Sequence, residues 1–423
     1  MNQHILAMQD VTPSINDFPA EILAEVFLWQ LLSVTHDEEV KDPMVTFDRV
    51  SPLVCKSWRA IALGDPRLWT HIVAPDLAIL ETFTQRYLPR SGNLPLDLEF
   101  RGPPEGLAPF IAAMFPYAAR WGSLDLRGPC ESLRRMTPVV MPVLRHVRIE
   151  GARDGDSTQH VPLHFIRDAP KLDTLMLHCW YIGSQFELAL PPLGHLRTLR
   201  FSAWEYDLSC MLRTVHGSCA TLRDIEIVLQ GFVPPTDFLG CPAHLPSLTS
   251  LTLGGSAGHF LQLISPPALE TLTMTNEPED TPALLDLLHR VPAAGHSLQK
   301  FDLQSLGDYD VLLECLALTP NLKVLCLGVY RAPGPLLRGL TIHEDDSAEH
   351  PILVPKLELL SLDYCIDSGS EDLLAVDEFF ISRAFPQVIR GTQVEGVRMA
   401  VSSELMQTHS VFARSDITLC SLE

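Results

Sequence analysis

The sequence predicts an α/β chain in which a small all-α domain precedes a long array of strand-and-helix repeats. Three observations support this fold class. Apolar residues recur at helical spacing in two stretches within residues 17–72. The pattern L-x-x-L-x-L then returns ten times between residues 120 and 385. Hydrophobic residues make up 46% of the 423-residue chain and charged residues 20%, a composition typical of folded globular proteins.

Two amphipathic helices are predicted in the N-terminal domain. Pro19 suits the first turn of a helix, because the N–H that it lacks has no intrahelical partner there. The apolar residues of this first helix are Ile22, Leu23, Val26, Phe27 and Leu31. Pro52 marks the start of the second helix, which ends at Gly64-Asp65-Pro66 and whose inner face comprises Val50, Leu53, Val54, Ser57, Trp58 and Ile61. A unit of about 55 residues is near the lower size limit for independent folding, so a partner often completes its core.

Three short motifs in this domain resemble the F-box family. Phe18-Pro19-Ala20-Glu21-Ile22-Leu23 resembles the F-box opening, leucine-proline-x-glutamate-isoleucine/leucine-leucine. Val54-Cys55-Lys56-Ser57-Trp58-Arg59 is similar to the family's valine-cysteine-basic-x-tryptophan-arginine helix. Asp65-Pro66-Arg67-Leu68-Trp69 is similar to its proline-x-leucine-tryptophan tail. The chain departs from the family in two places, since Phe18 replaces the usual leucine and the insert 34–43 lengthens the link between the helices.

The resemblance implies that residues 17–72 dock on a Skp adaptor, which ties the chain to a cullin–RING ubiquitin ligase. Carried over by position, the adaptor-binding residues are Phe18, Pro19, Ile22, Leu23, Val26, Phe27, Leu53, Val54 and Trp58. The alternative is that these apolar positions form only the core of a helix pair. Three motifs in the family's order favour the F-box interpretation.

Residues 1–16 are predicted to be an N-terminal tail and residues 73–119 a connecting segment. Within the connecting segment, residues 78–87 have a helical pattern and residues 94–100 alternate like a strand. Gly and Pro residues at 102–106 predict a loop or turn between this strand and the repeats.

The repeats begin near residue 120 and each copy has three apolar positions. The first positions are Trp121, Leu144, Leu172, Leu196, Leu222, Leu248, Leu269, Leu298, Leu322 and Leu357. Subtracting successive first positions gives steps of 23, 28, 24, 26, 26, 21, 29, 24 and 35 residues. Most of these steps lie in the roughly 20–29-residue range of leucine-rich repeats. The sequence therefore predicts an irregular leucine-rich-repeat solenoid over residues 120–385, a horseshoe with a parallel sheet and outer helices.

Side chains that alternate with the apolar strand positions point away from the core. They are predicted to line the inner face of the sheet and to bind a protein target: Arg148, Thr198, Arg200, Glu226, Thr252, Thr273, Asp302, Cys326 and Ser361. The alternative is a plain solvated sheet surface. Residues 372–385 predict a closing helix, and residues 386–423 form a cap and tail in which a strand at 396–401 caps the sheet edge. The arrangement as a whole resembles the large F-box families of mushroom-forming fungi.

Charge and cysteine content narrow the choice of partners. The formal net charge is −21, from 52 acidic and 31 basic residues, which disfavours nucleic acid and anionic membranes and fits a basic partner surface better. No apolar run approaches the ~20 residues of a membrane span, and the first sixteen residues lack the features of a signal peptide. We therefore expect a soluble protein of the cytoplasm, the nucleus or both. The ten cysteines form no Cys-x-x-Cys or zinc-finger spacing, which predicts reduced, structural thiols.

Two patterns with possible chemistry have a simpler structural explanation. Gly254-Gly255-Ser256-Ala257-Gly258 fits the G-x-S-x-G motif of serine hydrolases, but small residues in a tight turn of a repeat also explain it. The acidic and histidine-rich stretch 343–350 offers metal-ligand types without metal-ligand spacing, so a solvated loop is favoured.

No cofactor or metal is expected, and the chain is predicted to be non-catalytic. The function that the resemblance implies is that of a substrate receptor in a Skp–cullin–F-box ubiquitin ligase. The open alternatives are an interaction scaffold that is not coupled to ubiquitylation and a serine hydrolase that uses Ser256.

Overall fold

The computed structural model describes residues 18–35, 53–74, 80–129, 132–133, 136–152, 161–179, 188–189, 193–204, 215–230, 241–276, 281–304, 308–329, 334–342, 352–364, 370–383, 385–389, 392–401 and 419–421. Over these residues the chain is a mixed α/β protein with one extended parallel sheet, which confirms the predicted α/β class. Among them, no helix combines the length and the apolar character needed to cross a bilayer.

The N-terminal unit consists of helix α1 (Ala20–Thr35), helix α2 (Lys56–Gly64) and a 3₁₀ turn (Pro66–Trp69). One stripe of α1 is buried, with apolar side chains at a spacing of four residues: Leu23, Phe27 and Leu31. The ring of Trp58 packs edge-on against Phe27, with 5.0 Å between the ring centroids. Cys55 caps the start of α2, because its Sγ accepts the backbone N–H of Trp58 at 3.4 Å. Both predicted helices are present, and Pro52 lies outside the described residues.

Fourteen strands form the main sheet in the described part of the chain. They are β1 (His71–Ala74), β2 (Leu96–Phe100), β3 (Trp121–Pro129), β4 (His146–Ala152), β5 (Thr174–Cys179), β6 (Thr198–Trp204), β7 (Asp224–Gln230), β8 (Ser250–Gly255), β9 (Thr271–Asn276), β10 (Lys300–Leu303), β11 (Val324–Val329), β12 (Leu359–Tyr364), β13 (Arg398–Val401) and β14 (Leu419–Ser421). They lie side by side in chain order, and every neighbouring pair is parallel. Parallel neighbours require a crossover between consecutive strands, which is where the helices lie.

The repeated apolar pattern forms two continuous ladders across this sheet. The second position of each copy pairs with the second position of the next, from Leu124 on β3 to Leu360 on β12. The third positions pair in the same way, from Leu126 to Leu362. All thirty side chains of the ten copies are at most 4% exposed. Variation in the step between copies is therefore absorbed by the connections, because the strands themselves stay in phase.

The connections carry helices that pack on one another along the array. The longer ones are α3 (Leu107–Met114), α4 (Thr281–Arg290), α5 (Pro292–Ser297), α6 (Tyr309–Ala317), α7 (Gly334–Leu340) and α8 (Ser370–Arg383), and 3₁₀ helices span Pro104–Gly106, Phe115–Arg120, His164–Ile166 and Ser256–Leu263. Helix α4 contacts α6, α6 contacts α7, and α7 contacts α8. The buried side chains of α4, such as Leu284 and Leu287, belong to the same apolar core as the strands. The helices therefore cover one face of the sheet, while side chains on the opposite face stay partly exposed.

The sheet begins earlier than the sequence predicted. Its first strands are β1 and β2, so the sheet starts at His71 rather than near residue 120. The physical reason is that Ile72 and Leu98 extend the ladder of Leu124 and are as deeply buried. The predicted strand at 94–100 is β2. The predicted helix at 78–87 appears as Leu80–Thr82, a π-helical turn at Phe83–Tyr87 and Leu88–Arg90.

The C-terminal end of the sheet also differs from the sequence prediction in one respect. The predicted closing helix is α8, and the predicted strand at 396–401 is β13, which pairs with β12. A further strand, β14, pairs with the outer side of β13. The prediction that residues 396–401 cap the sheet edge is therefore wrong, because β14 is the last strand. Three small two-stranded sheets join Val161–Pro162 to Leu188–Ala189, Ala243–His244 to Ile264–Ser265, and Gln387–Ile389 to Thr392–Val394.

A buried arginine holds α8 in place. Arg383 is 1% exposed and donates hydrogen bonds to the carbonyls of Leu340 at 2.9 Å, Val354 at 3.1 Å and Leu353 at 2.6 Å. Burial lowers the pKa of Arg383 to about 10, still well above neutral pH, so the side chain carries its charge. The guanidinium fork thus ties the last helix to the end of α7 and to the turn ahead of β12.

Candidate functional site

Helix α1 carries a second apolar stripe that the described residues leave uncovered. Ile22 is 48% exposed, Val26 46% and Trp29 74%, and they follow one another at i, i+4 and i+7. A helix of a soluble protein normally buries one apolar face and shows a polar one. An exposed apolar stripe of this kind is a candidate surface for a partner.

Six of the nine predicted adaptor-binding residues are exposed: Phe18, Pro19, Ile22, Val26, Leu53 and Val54. Leu23 and Phe27 are instead buried inside the N-terminal unit. Trp58 is half-buried and lies against Phe27. These three side chains support the outer surface from within, whereas the six exposed ones form what a partner can touch.

Sequence reasoning missed Trp29. The spacing of the sequence already indicates this residue, because Trp29 lies seven residues after Ile22 and three after Val26, on the same helical face. It is also the most exposed residue of the stripe. Tryptophan is the residue type most enriched in the energetic centres of protein interfaces. We therefore include Trp29 in this surface, called the α1 stripe from here on, together with Ile22 and Val26.

The tail motif at 65–69 joins the N-terminal unit to the sheet. Trp69 is fully buried, and its Nε1–H donates to the carbonyl of Ala62 at 2.8 Å. Its ring lies 5.1 Å from that of Tyr87, and the guanidinium of Arg90 sits 4.5 Å from its centroid. The helices and the first strands consequently share one apolar core.

A surface ion network secures α1 to the same motif. The guanidinium of Arg67 donates to the carboxylate of Asp65 on its own turn and to Glu25 of α1 at 2.6 Å. The hydrogen bonds from Arg67 lower the pKa of Asp65, so this carboxylate stays ionised at neutral pH. The network positions α1, and with it the α1 stripe, relative to the start of the sheet.

The second candidate surface is the sheet face opposite the helices. Eight of the nine predicted target-binding residues lie in one register row, one on each strand from β4 to β12 except β5: Arg148, Arg200, Glu226, Thr252, Thr273, Asp302, Cys326 and Ser361. Thr198 lies in the adjacent row, two residues before Arg200. Met176 on β5 occupies the position of this row that sequence reasoning omitted.

Charge on this face concentrates on the strands from β2 to β7. The ion pairs are long: 3.4 Å for Arg127–Glu150, 3.8 Å for Arg148–Asp125 and 3.9 Å for Arg148–Glu150. The Nε atoms of both arginines and Oδ1 of Asp125 are buried without a hydrogen-bond partner among the described residues. These groups therefore attract one another electrostatically but are not locked by hydrogen bonds.

Burial shifts the titration of one member of this cluster, Asp125. Loss of solvation raises the pKa of Asp125 to about 6, because the charges of Arg148 and Arg127 lower it by less than burial raises it. Glu99, the neighbouring residue in the same row, is 8% exposed and is bound by Arg101, with His71 Nε2 at 3.9 Å. The inner face at β2 and β3 thus holds acidic groups that are only partly solvated.

Strands β8 to β12 present mainly hydroxyl groups instead. Thr252, Thr273 and Ser361 occupy the central row there, with Asp302 and Cys326 between them. Thr252 and Thr273 are half-buried, whereas Ser361 is only 6% exposed and offers a partner little surface. Burial, and then the carboxylate of Asp302, raises the pKa of the Cys326 thiol. Burial raises that of Cys315 to about 12. Both thiols are therefore protonated at neutral pH and poorly nucleophilic.

Ser256 lies at the start of a 3₁₀ helix that follows β8. Its Oγ donates to the carbonyl of Leu229 at 3.3 Å, so the hydroxyl hydrogen is directed at the backbone. Gly255 precedes it with φ +60° and ψ −132°, and a Cβ at this position would lie 1.9 Å from the Leu229 oxygen. This geometry supports the structural explanation of the glycine-rich motif, in which the chain turns close against the neighbouring strand.

The described residues contain no group of three or more His, Cys, Asp or Glu placed to hold a metal ion. The stretch 343–350, the candidate from the sequence, lies outside these residues.

No protein-family model matches this chain, and no curated protein matches it. The α1 stripe and the inner face of the sheet are therefore the two surfaces from which a function can be inferred.

Proposed function

We propose that this chain is the substrate-receptor subunit of a Skp–cullin–F-box ubiquitin ligase. In this proposal the N-terminal unit is an F-box that docks on the adaptor. The strands and helices that follow are a leucine-rich-repeat solenoid whose inner face binds a target protein, in the cytoplasm or the nucleus. The observation that carries the proposal is the α1 stripe, which lies on the helix whose sequence resembles the F-box opening.

Burial on the other side of α1 supports this assignment. Leu23 and Phe27 complete the interior of the N-terminal unit, so the folding of this unit does not need Ile22, Val26 or Trp29. Apolar side chains that stay exposed after folding lower the solubility of a protein unless a partner covers them. Leu53 and Val54, directly ahead of α2, add two further exposed apolar side chains to the same unit.

The chain itself would supply proximity rather than chemistry. A receptor that holds a target near a ubiquitin-conjugating enzyme turns an encounter between free molecules into a local reaction. The shared core between the N-terminal unit and the sheet suits this role, because it keeps the target surface at a defined position relative to the adaptor.

Co-purification with a purified Skp adaptor tests the proposal. The wild-type chain should capture the adaptor, and the variant I22D/V26D should lose capture, because charges in a docked apolar surface are strongly unfavourable. Leu374→Asp is the matched control, since Leu374 is an exposed apolar residue of a helix at the other end of the chain. Leu23 and Trp58 are unsuitable for this test, because changing them also disturbs the interior. No capture by the wild-type chain, or equal capture by I22D/V26D, would reject the F-box assignment.

A scaffold without ubiquitylation is the second candidate, and one observation favours it. Trp69 and the N-terminal helices are part of the core that covers the start of the sheet, as a simple capping unit would be. Reconstitution with adaptor, cullin and conjugating enzyme separates the two functions. Ubiquitylation of a bound partner that depends on the α1 stripe supports the receptor. Adaptor binding without such transfer supports the scaffold.

A further inference from the structure

Strand β5 differs from its neighbours on the inner face of the sheet. Its outward residues are Thr174, Met176 and His178, which include neither an arginine nor a carboxylate, whereas β4 and β6 each carry an arginine. Arg148 on β4 and Arg200 on β6 flank Met176 in the same register row. The Cα atoms of Arg148 and Arg200 are two strand spacings apart, about 10 Å. Both arginine side chains are roughly half exposed, so a ligand can reach them.

The carboxylates that pair with these arginines do not lie on β5. Asp125 is on β3 and Glu226 is on β7, on the far side of each arginine, while Glu150 shares β4 with Arg148. The pairs of Arg148 are 3.8 and 3.9 Å long, and the pair of Arg200 with Glu226 is 3.2 Å. Arg200–Glu226 is an exposed pair, a kind that contributes only about 0–1 kcal/mol, and the pairs of Arg148 are too long to be hydrogen bonds. Turning either guanidinium toward β5 is therefore inexpensive when a better acceptor arrives.

Hydrogen-bonding groups lie next to this position. His178 Nδ1 is 2.8 Å from Ser202 Oγ on β6. Burial, and then the charge of Arg148, lowers the pKa of His178, and Arg200 also acts in this direction. The imidazole is consequently neutral at physiological pH. When Ser202 donates to Nδ1, the ring carries its proton on Nε2 and can donate it to a ligand oxygen.

We propose that Arg148, Arg200 and His178 form a slot over β5 that binds the carboxylate of an acidic side chain in the target protein. This inference rests on the proposed function, because it assigns the chemistry of the target on the inner face. A guanidinium fork matches the two oxygens of a carboxylate. Asp125, Glu150 and Glu226 border the slot, so it accepts one or two negative groups and repels a polyanion such as nucleic acid.

Binding of synthetic peptides to the purified full-length chain tests the slot. Fluorescein-labelled peptides of about twelve Gly and Ser residues would carry two central glutamates, glutamines, lysines or phosphoserines, and fluorescence polarisation at about 50 mM salt would report affinity. The glutamate peptide should bind roughly tenfold more tightly than the glutamine peptide, and salt should weaken it. R148A/R200A should remove this preference. R197A is the matched control, since Arg197 is an exposed arginine that precedes β6 and pairs with Asp173 outside the slot.

Three results would overturn the slot: equal binding of the glutamate and glutamine peptides, a preference for lysine, or an unchanged preference in R148A/R200A. A phosphoserine peptide that binds roughly tenfold more tightly than the glutamate peptide would assign the slot to phosphate and also overturn the proposal. If the double variant fails to fold, the comparison among peptides on the wild-type chain still tests the slot. Adaptor capture is measured on the same preparations. Intact capture with no glutamate preference rejects only the slot, whereas a glutamate preference without capture rejects the proposed function.

Discussion

Replacing Arg383 with methionine should weaken the C-terminal end of the fold. Arg383 donates to three carbonyls, those of Leu340, Val354 and Leu353, from a position that water does not reach. Methionine has similar length and fills much of the same space, but it donates no hydrogen bond. The substitution therefore isolates the hydrogen bonds from the packing.

The magnitude follows from two opposing contributions. Hydrogen bonds to a charged group are worth about 1.5–3 kcal/mol each, so three account for roughly 5–9 kcal/mol. Burial lowers the pKa of Arg383 to about 10. This shift corresponds to about 3 kcal/mol of desolvation cost, which methionine does not incur. We expect a net loss of about 2–6 kcal/mol. Lysine retains a buried charge but lacks the fork, so R383K should be no more stable than R383M.

Hydrogen exchange followed by mass spectrometry is the suitable assay, because an array of repeats can open locally at one end. Exchange in α8 and β12 should accelerate by roughly a factor of 30 or more, while exchange in β6 and β7 should not change. R338M is the control, since Arg338 is an exposed arginine of α7. A difference below about 0.5 kcal/mol between R383M and wild type, or wild-type behaviour of R383K, would refute the reasoning.

Three further predictions concern separate parts of the chain. Gly255→Ala should destabilise by about 3 kcal/mol or more, because its Cβ would meet the Leu229 carbonyl and φ is +60°; Gly64→Ala, with open space around it, is the control in urea unfolding. Asp125→Asn should raise the unfolding free energy by about 3 kcal/mol above pH 7 and leave it unchanged near pH 3. The folded-state pKa of Asp125 is raised to about 6, so wild-type stability falls as pH rises toward 6; an unchanged pH profile of the variant would contradict this. Trp29→Ala should weaken adaptor capture by roughly tenfold or more with thermal unfolding unchanged, and equal capture would remove Trp29 from the α1 stripe.

Much of the sheet was predictable because burial repeats. Each copy of L-x-x-L-x-L places its second and third apolar side chains in the same two ladders. A core that repeats in this way requires a sequence that repeats as well. β1, β2 and β14 join the same sheet without the pattern. Ile72 and Leu98 are paired and buried, but Ala74 and Pro95 stand at positions that the template fills with large apolar residues. Of these, β1 and β14 are the edge strands and pair with one neighbour only, so their sequences are under a weaker constraint.

The candidate surfaces were predictable only in part, for two physical reasons. Ile22 and Leu23 are adjacent and equally apolar, and the sequence does not reveal which of the two stripes on α1 the chain itself covers. On the inner face, alternation showed which side chains point outward. The contacts of Arg148 with residues of β3 and of its own strand depend on strand register, which connections of unequal length conceal.

The two candidate surfaces, the α1 stripe and the inner face of the sheet, are connected through one packed interior. The α1 stripe lies on a helix that Phe27 and Trp58 hold against α2 and that Arg67 joins to the tail motif. Trp69 then continues the apolar interior into the first strands. A partner on the α1 stripe is thus connected to the inner face through packed side chains rather than through a flexible linker, and proximity is effective only when the held groups keep a defined geometry. This continuity explains why a receptor would extend the sheet back to His71, since the strands ahead of the repeats give the N-terminal unit a core to share.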